Sequence, residues 1–153
     1  MNVDPADLAA MDRALQLAAQ AGESGDVPVG AVVTDAGGTV IGEGLNLRER
    51  DHDPTAHAEV VALRAAAAAH GGWNLDGCTL VVTLEPCLMC AGAVLQSRVS
   101  RVVFGAWDDK AGAAGSVYDV LRDRRLPYRA EVVAGVREAE ASALLRAFFD
   151  TRR

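Results

Sequence analysis

Residues 78–104 read CTLVVTLEPCLMCAGAVLQSRVSRVVF: a β-prone run from Cys78 to Thr83, a helix opened by Pro86 that runs from Cys87 to about Ser97, and a second β-prone run from Arg101 to Phe104. Strand, helix and strand in so short a span form a crossover unit. Upstream, Val29 to Thr34 and Thr39 to Leu45 are two further β-prone runs, joined by the hairpin-type sequence Asp35-Ala36-Gly37-Gly38. Between them and the opening stretch, an Ala-rich run from His57 to about His70 reads as a helix, entered through Pro54 and Thr55 and stopped by Gly71-Gly72. A first helix over roughly residues 5–21 follows the Asp4-Pro5 cap, with Leu8, Met11, Leu15, Ala18 and Ala21 at helical spacing until Gly22. The order strand, helix, strand, helix, strand predicts parallel pairing with right-handed crossovers in an α/β layer architecture. Downstream, a short helix is expected around Ser116 to Leu121, a weak strand around Arg129 to Val133, and a final helix from about Arg137 to Phe149, with Phe148 and Phe149 anchored mostly in the core.

The chain has 153 residues, 50% of them hydrophobic, which matches one domain over residues 1–153 with a single buried core. Asp4, Asp7, Asp12 and Glu23 interrupt the first 25 residues, which argues against a secretory leader, and no stretch is long and apolar enough to span a bilayer. A cytoplasmic protein with no membrane partner is expected. The net charge is −6, from 15 Lys and Arg against 21 Asp and Glu, which excludes a surface built throughout for nucleic acid. A local basic patch remains open to it. Arg122, Arg124, Arg125 and Arg129 lie close together, with Arg146, Arg152 and Arg153 beyond; the plain alternative is a solvated face.

Of three cysteines, two stand as Cys87-Leu88-Met89-Cys90. A reducing compartment favours metal or redox chemistry over a structural bridge for this spacing. Taken alone, C-x-x-C is also a thioredoxin-like redox pair or half of a zinc ribbon. Three residues apart at a helix start, the two sulfurs lie on one face and suit one metal ion. His57 is the best third ligand, because His52 and His70 lie in a loop and at a helix end without comparable neighbours. Two thiolates and one imidazole leave a fourth position open, the arrangement of catalytic zinc, and the chain has no second C-x-x-C to close the site. His57 and Cys87 both begin helices, whose partial positive charge favours thiolate. Glu59 follows His57 by two helical steps, a rotation of about 200°, so the two do not share a face. Side chains in a first turn tilt toward the helix end, however, and can converge just beyond it, where Glu59 can exchange protons with a water activated by the metal. Cys78 reads as a small core residue of its strand.

His57-Ala58-Glu59 with Pro86-Cys87-Leu88-Met89-Cys90 resembles the H-x-E and P-C-x-x-C signature of the zinc-dependent cytidine and deoxycytidylate deaminase superfamily. Much of the rest resembles the bacterial tRNA-specific adenosine deaminases within it: Val27-Pro28-Val29-Gly30-Ala31, Gly44-Leu45-Asn46, His52-Asp53-Pro54-Thr55-Ala56, Thr83-Leu84-Glu85, Val103-Phe104-Gly105-Ala106, and above all the block from Gly105 to Ser116. The resemblance implies a three-layer α/β/α cytidine-deaminase-like fold with a mixed central sheet of about five strands and helices on both faces. It implies a homodimer, one Zn²⁺ per chain and no organic cofactor, and hydrolysis of the wobble adenosine of a tRNA anticodon stem-loop to inosine. Asn46 would contact the target nucleoside, Val29 and Ala58 would wall its pocket, Asp108 would contact the flanking nucleotide, and Lys110 would approach the backbone. Trp107 departs from the basic or polar residue expected there, although an indole can stack on a base. Two rivals stay open: a free-base deaminase acting on guanine or cytosine, against which the 105–116 block argues, and a catalytically inactive zinc-stabilised RNA-binding protein, against which Glu59 argues.

Overall fold

The structure, a computed structural model, describes residues 3–152. Helix α1 spans Pro5–Glu23, capped by the Asp4 carboxylate, which accepts from the Ala6 amide, and by Pro5 at its first position. The hairpin strands are β1 (Gly30–Thr34) and β2 (Val40–Leu45); α2 (Ala58–His70), β3 (Thr79–Leu84), α3 (Leu88–Gln96), β4 (Arg101–Ala106), β5 (Glu131–Val133) and α4 (Glu138–Asp150) follow. The five strands form one sheet in the order β2-β1-β3-β4-β5. Period-2 alternation divides it: Val32, Val81 and Val103 face α1, whereas Ala31, Val33, Leu80, Val82, Val102 and Phe104 face the core that includes α2 and α3. Both faces are covered, so β1 is buried along its whole length.

The expected parallel pairing holds for β3 with β4 and β4 with β5. The expected hairpin of β1 with β2 and the expected mixed sheet are also found; the difference lies at β2 and β3, the strands that α2 connects, which do not pair with each other because β1 lies between them, antiparallel to both. The tight hairpin places β1 between the two strands that α2 connects, so that crossover passes over a strand already in place. The helix expected around Ser116 to Leu121 is a loop closed by an isolated bridge between Ala114 and Asp119. Tertiary hydrogen bonds outweigh its modest helical pattern, as the site shows below. The final helix is shallower than expected: Phe148 is half-buried and Phe149 is 52% exposed, the two rings meeting edge to face at 5.3 Å, and only Ala141 of α4 is buried.

Helix α2 lies unusually close to β2. A Cβ on Gly44 would stand 2.3 Å from the Ala58 carbonyl oxygen, and one on Gly42 would stand 2.6 Å from that of Ala62. Glycine in the strand and the Ala58, Ala62, Ala66 row in the helix let the two backbones touch. That contact fixes the N-terminus of α2 against the sheet. Among the described residues no helix is long and apolar enough to cross a membrane.

Candidate active site

The chemistry gathers where α2 and α3 begin. His57 is the N-cap of α2 and Cys87 the N-cap of α3, both in extended backbone and neither spending its side chain on a cap hydrogen bond. Each side chain is therefore free to turn toward the other. His57 Nδ1 lies 3.6 Å from Cys87 Sγ and 3.5 Å from Cys90 Sγ, and the three donor atoms lie within 4.8 Å of one another. One ring nitrogen cannot be satisfied by hydrogen bonds with two sulfurs at once. A zinc ion can satisfy it: with Zn–N near 2.0–2.1 Å and Zn–S near 2.3 Å, a tetrahedron has N···S edges of about 3.6 Å. The donor set and its spacing fit zinc, with one coordination position left for a small molecule.

The cysteines are already polarised toward that role. The Cys90 thiol, hydrogen-bonded to Cys87, and then the His57 ring hold Cys87 down to about 4, against the desolvation of its burial. Cys90 is pushed up, first by its bond to Cys87 and then by burial. The same contact with Cys87 raises His57. Glu59, 4% exposed, stands outside the ligand set, and burial pushes its carboxyl up to about 7, with its own backbone amide pulling the other way. A carboxyl held near neutrality can both take and give a proton.

A cavity of about 180 Å³ opens over these groups, lined by Val29, Asn46, His57, Ala58, Glu59, Cys87 and Asp108, together with Val27, Arg48, Leu84, Glu85 and Ala111. It is smaller than the roughly 300–1,000 Å³ of pockets for drug-sized ligands, a size suited to one heterocycle. His57 and Glu59 face it together, as convergence in a first turn requires. Asn46 is buried: its Nδ2 donates to the Val27 carbonyl at 3.2 Å and its Oδ1 accepts from the Arg48 amide at 3.1 Å. One hydrogen and one lone pair remain for a ligand. Cys90 is buried behind the cavity wall, and Lys110 is exposed and away from the lining.

Two charged lining residues have no role in the sequence reading. Arg48 is one, recognisable only as a cation two positions beyond Asn46. Glu85 is the other, a carboxylate 1% exposed at the end of β3. Its Oε1 accepts from the Asp108 amide at 3.0 Å, and its Oε2 from the amides of Ala114 at 2.9 Å and Ser116 at 3.1 Å. The Ser116 hydroxyl lies 2.7 Å from Oε1 and 2.6 Å from the Asp108 carbonyl, so one proton serves both. A Cβ on Gly112 would stand 2.3 Å from Glu85 Cδ, so this loop admits only glycine there. The 105–116 block is thus wrapped around one buried carboxylate.

Two cations of the expected basic patch are paired with neighbouring carboxylates. Arg122 pairs with Asp119 at 3.0 Å and Arg125 with Asp123 at 2.7 Å. Arg129 lines a larger cavity of about 520 Å³ with Trp73, Arg98 and Tyr128, next to Asp76 and Ser100 and so at the opposite end of β3 and β4. That cavity has the greater volume but contains no cluster of metal-ligating groups, and chemistry rather than volume selects the smaller one. Arg153 lies outside the described residues.

The profile of the cytidine and deoxycytidylate deaminase zinc-binding region matches residues 5–106, which include His57, Cys87 and Cys90. The chain belongs to this deaminase family. Among its members it is 48% identical to a tRNA-specific adenosine deaminase of Bacillus subtilis, over 91% of this chain and 86% of that one. It is 53% identical to a Deinococcus radiodurans protein named tRNA(Ile)-lysidine synthase, over 92% of this chain; there it spans only about a quarter, 24%, of the relative's length. A solved structure from a study of A-to-I editing by tRNA:A34 deaminases superposes with a TM-score of 0.86 at 39% identity, covering 90% of this chain and 99% of that one. The chain is a zinc-binding deaminase of the tRNA-specific adenosine type, with His57, Cys87 and Cys90 as its zinc ligands.

Proposed function

We propose that this deaminase hydrolyses the wobble adenosine of a tRNA anticodon stem-loop, taking up water and releasing ammonia to leave inosine. One observation carries the reading: a base-sized cavity is lined by His57, Cys87 and a buried Glu59, with Cys90 beside them behind its wall and Asn46 and Asp108 lining it as well. Zinc bound by His57, Cys87 and Cys90 supplies Lewis-acid activation of water. Glu59 acts as the proton carrier: it accepts the proton that water gives up and delivers it to adenine N1, then takes the proton of the hydroxyl newly bound at C6 and gives it to the departing amino group, so that the C6–N bond breaks as the C6 carbonyl of inosine forms. Val29 and Ala58 wall the ring in place, and Asn46 uses its remaining donor and acceptor on the nucleoside. Asp108 meets the flanking nucleotide, and Lys110, exposed at the surface, approaches the phosphate backbone outside the cavity. The target base must leave its stack to enter, which an anticodon loop allows because its bases are unpaired.

The active form is a homodimer. Leu88, 55% exposed, and Met89 stand beside the zinc ligands as an apolar surface that a second copy would cover. Light scattering measures this directly, a monomeric mass opposing it. For the activity, purified zinc-loaded chain is incubated with an anticodon stem-loop carrying A at the wobble position, and inosine is read by nucleoside chromatography. Free adenosine, guanine and cytosine are assayed alongside for ammonia. Inosine in the stem-loop with little release from the free compounds is the expected result. Rapid ammonia release from guanine with an unchanged stem-loop would transfer the chain to the free-base deaminases.

A further inference from the structure

The proposed mechanism leaves Glu85 unused, yet Glu85 is the most completely hydrogen-bonded side chain at the site. We propose that Glu85 is the positioning residue for substrate recognition: it acts through Asp108 by locking the 107–116 loop over the cavity. The inference rests on the proposed function, which gives Asp108 the flanking nucleotide to hold.

The argument starts from sequence distance. Glu85 ends β3, whereas its donors lie 23 to 31 residues later, at Asp108, Ala114 and Ser116. No regular ladder covers these loop amides. The loop's internal bonds are few: Lys110 and Ala111 donate to Asp108 Oδ1, and the Gly112 amide donates to the Asp108 carbonyl at 2.9 Å. A segment with so little secondary structure holds one shape only where its amides find fixed acceptors. Glu85 supplies such an acceptor. Its backbone is tied to β4, the amide donating to the Ala106 carbonyl at 2.8 Å, and Pro86-Cys87 follow at once, so carboxylate and zinc ligand belong to one rigid turn. The isolated bridge between Cys87 and Gly112 then clips the loop to that same turn. Asp108 is thereby held in register with Cys87, and a displacement of about 1 Å in such a group is enough to cost 10²-fold in rate.

A buried carboxylate surrounded by four donors is difficult to replace. Glutamine has the same shape, but its NH2 end donates and cannot accept: turned toward Ala114 and Ser116 it opposes two amide hydrogens, and turned the other way it opposes the Asp108 amide while the Ser116 hydroxyl can turn to accept. Glu85→Gln should therefore release the loop while removing no atom from the cavity's outline.

The experiment measures kcat and KM on the wild-type stem-loop for four proteins: wild type, Glu85→Gln, Asp108→Ala and the double variant. Zinc content is determined for each. If Glu85 acts through Asp108, Glu85→Gln keeps its zinc and loses roughly tenfold to a hundredfold in kcat/KM. The double variant is then no worse than Asp108→Ala. Multiplicative losses, or wild-type kinetics for Glu85→Gln, overturn the proposal. If Glu85→Gln fails to fold or loses zinc, Ser116→Ala decides: it removes one donor at the exposed edge of the network, and its smaller loss must likewise vanish in the Asp108→Ala background. Failure of the proposed function would look different, because wild type itself would then leave the stem-loop unchanged.

Discussion

Gly44→Ala should damage the active site from behind. The added Cβ would stand 2.3 Å from the Ala58 carbonyl oxygen, 2.5 Å from the Ala62 amide nitrogen and 3.0 Å from Val61 Cβ, where heavy atoms need roughly 3.5 Å. The first two are backbone and cannot turn aside. Relief requires α2 to move off β2 by about 1 Å, and Ala58 sits between His57 and Glu59, so both move with it. Overpacking of this kind costs about 1–3 kcal/mol. At 2–4 °C per kcal/mol for a domain of this size, the melting temperature should fall by roughly 2–12 °C. Turnover should fall further than stability suggests, by about 10²-fold, because the proton carrier and a zinc ligand shift relative to Cys87 and Cys90. Gly92→Ala is the control: this glycine lies inside α3 with nothing within 4 Å of its Cβ position. There the exchange should be neutral or stabilise by up to about 1 kcal/mol. Thermal melts and stem-loop turnover for both variants decide the matter. A Gly44→Ala protein with wild-type melting and turnover would refute the close-contact account of how α2 is placed.

Metal analysis should find about one zinc per chain, and Cys87→Ser or Cys90→Ser should lose both zinc and activity; full occupancy in either variant would remove that cysteine from the ligand set. Glu59→Ala should retain zinc and fold yet lose roughly 10²-fold to 10⁴-fold in turnover, since the carboxylate stands outside the ligand set; an active variant with normal zinc would exclude proton transfer by Glu59. Asp7→Ala should destabilise by roughly 2–3 kcal/mol, because it leaves Arg101, held by Asp7 at 2.7 and 2.5 Å and only 24% exposed in its side chain, with only the exposed Glu131 at 3.7 Å; denaturant melts that match wild type would contradict this. Stem-loop binding should weaken steeply with salt despite the charge of −6, and Arg48→Ala should weaken it while Arg129→Ala should not, since Arg48 lines the cavity and Arg129 lies at the far end of the sheet; equal effects of the two would mean that RNA does not enter as described.

What the sequence discloses follows the range of the contacts involved. His57, Cys87 and Cys90 are legible because each ligand is placed by a local event, the start of a helix after a strand or loop, and because C-x-x-C keeps two sulfurs on one helical face. Glu59 is legible only once side-chain convergence at the helix end replaces same-face periodicity. Helices, hairpin and strands are found within a few residues by their caps and periods. The antiparallel placement of β1 against β3 is invisible to that reading, because hydrophobic alternation is the same for either strand direction. The loop at residues 116–121 is misread for a related reason: Gly112 and Ser116 look like ordinary turn residues until Glu85 is found between them. Val29, Asn46, Ala58 and Asp108 come from family resemblance, and the cavity brings all four together. Lys110, from the same source, lies outside the lining.

The two halves of the site are built by different means, and they should tolerate change differently. The zinc half hangs on two helix N-termini that the sheet and the β2 glycines fix in place, so its geometry is inherited from the core. The proposed recognition half is a loop tied to one carboxylate, and of its exposed side chains Ser116 belongs to that network whereas Trp107 and Lys110 do not. Trp107 illustrates the difference: it is 45% exposed, it packs edge to face on Phe104 at 4.9 Å, and its neighbour Asp108 keeps its place because Glu85 holds the backbone amide. A change of side chain at position 107 leaves the Glu85 hydrogen bonds in place and alters only the packing of the indole on Phe104 and beside Gly115. Changes at Gly112, Ser116 or Glu85 do the reverse, moving every side chain of the loop at once. Under the proposed function, substrate preference is therefore expected to vary at exposed positions such as Trp107 and Lys110 while the metal chemistry stays the same.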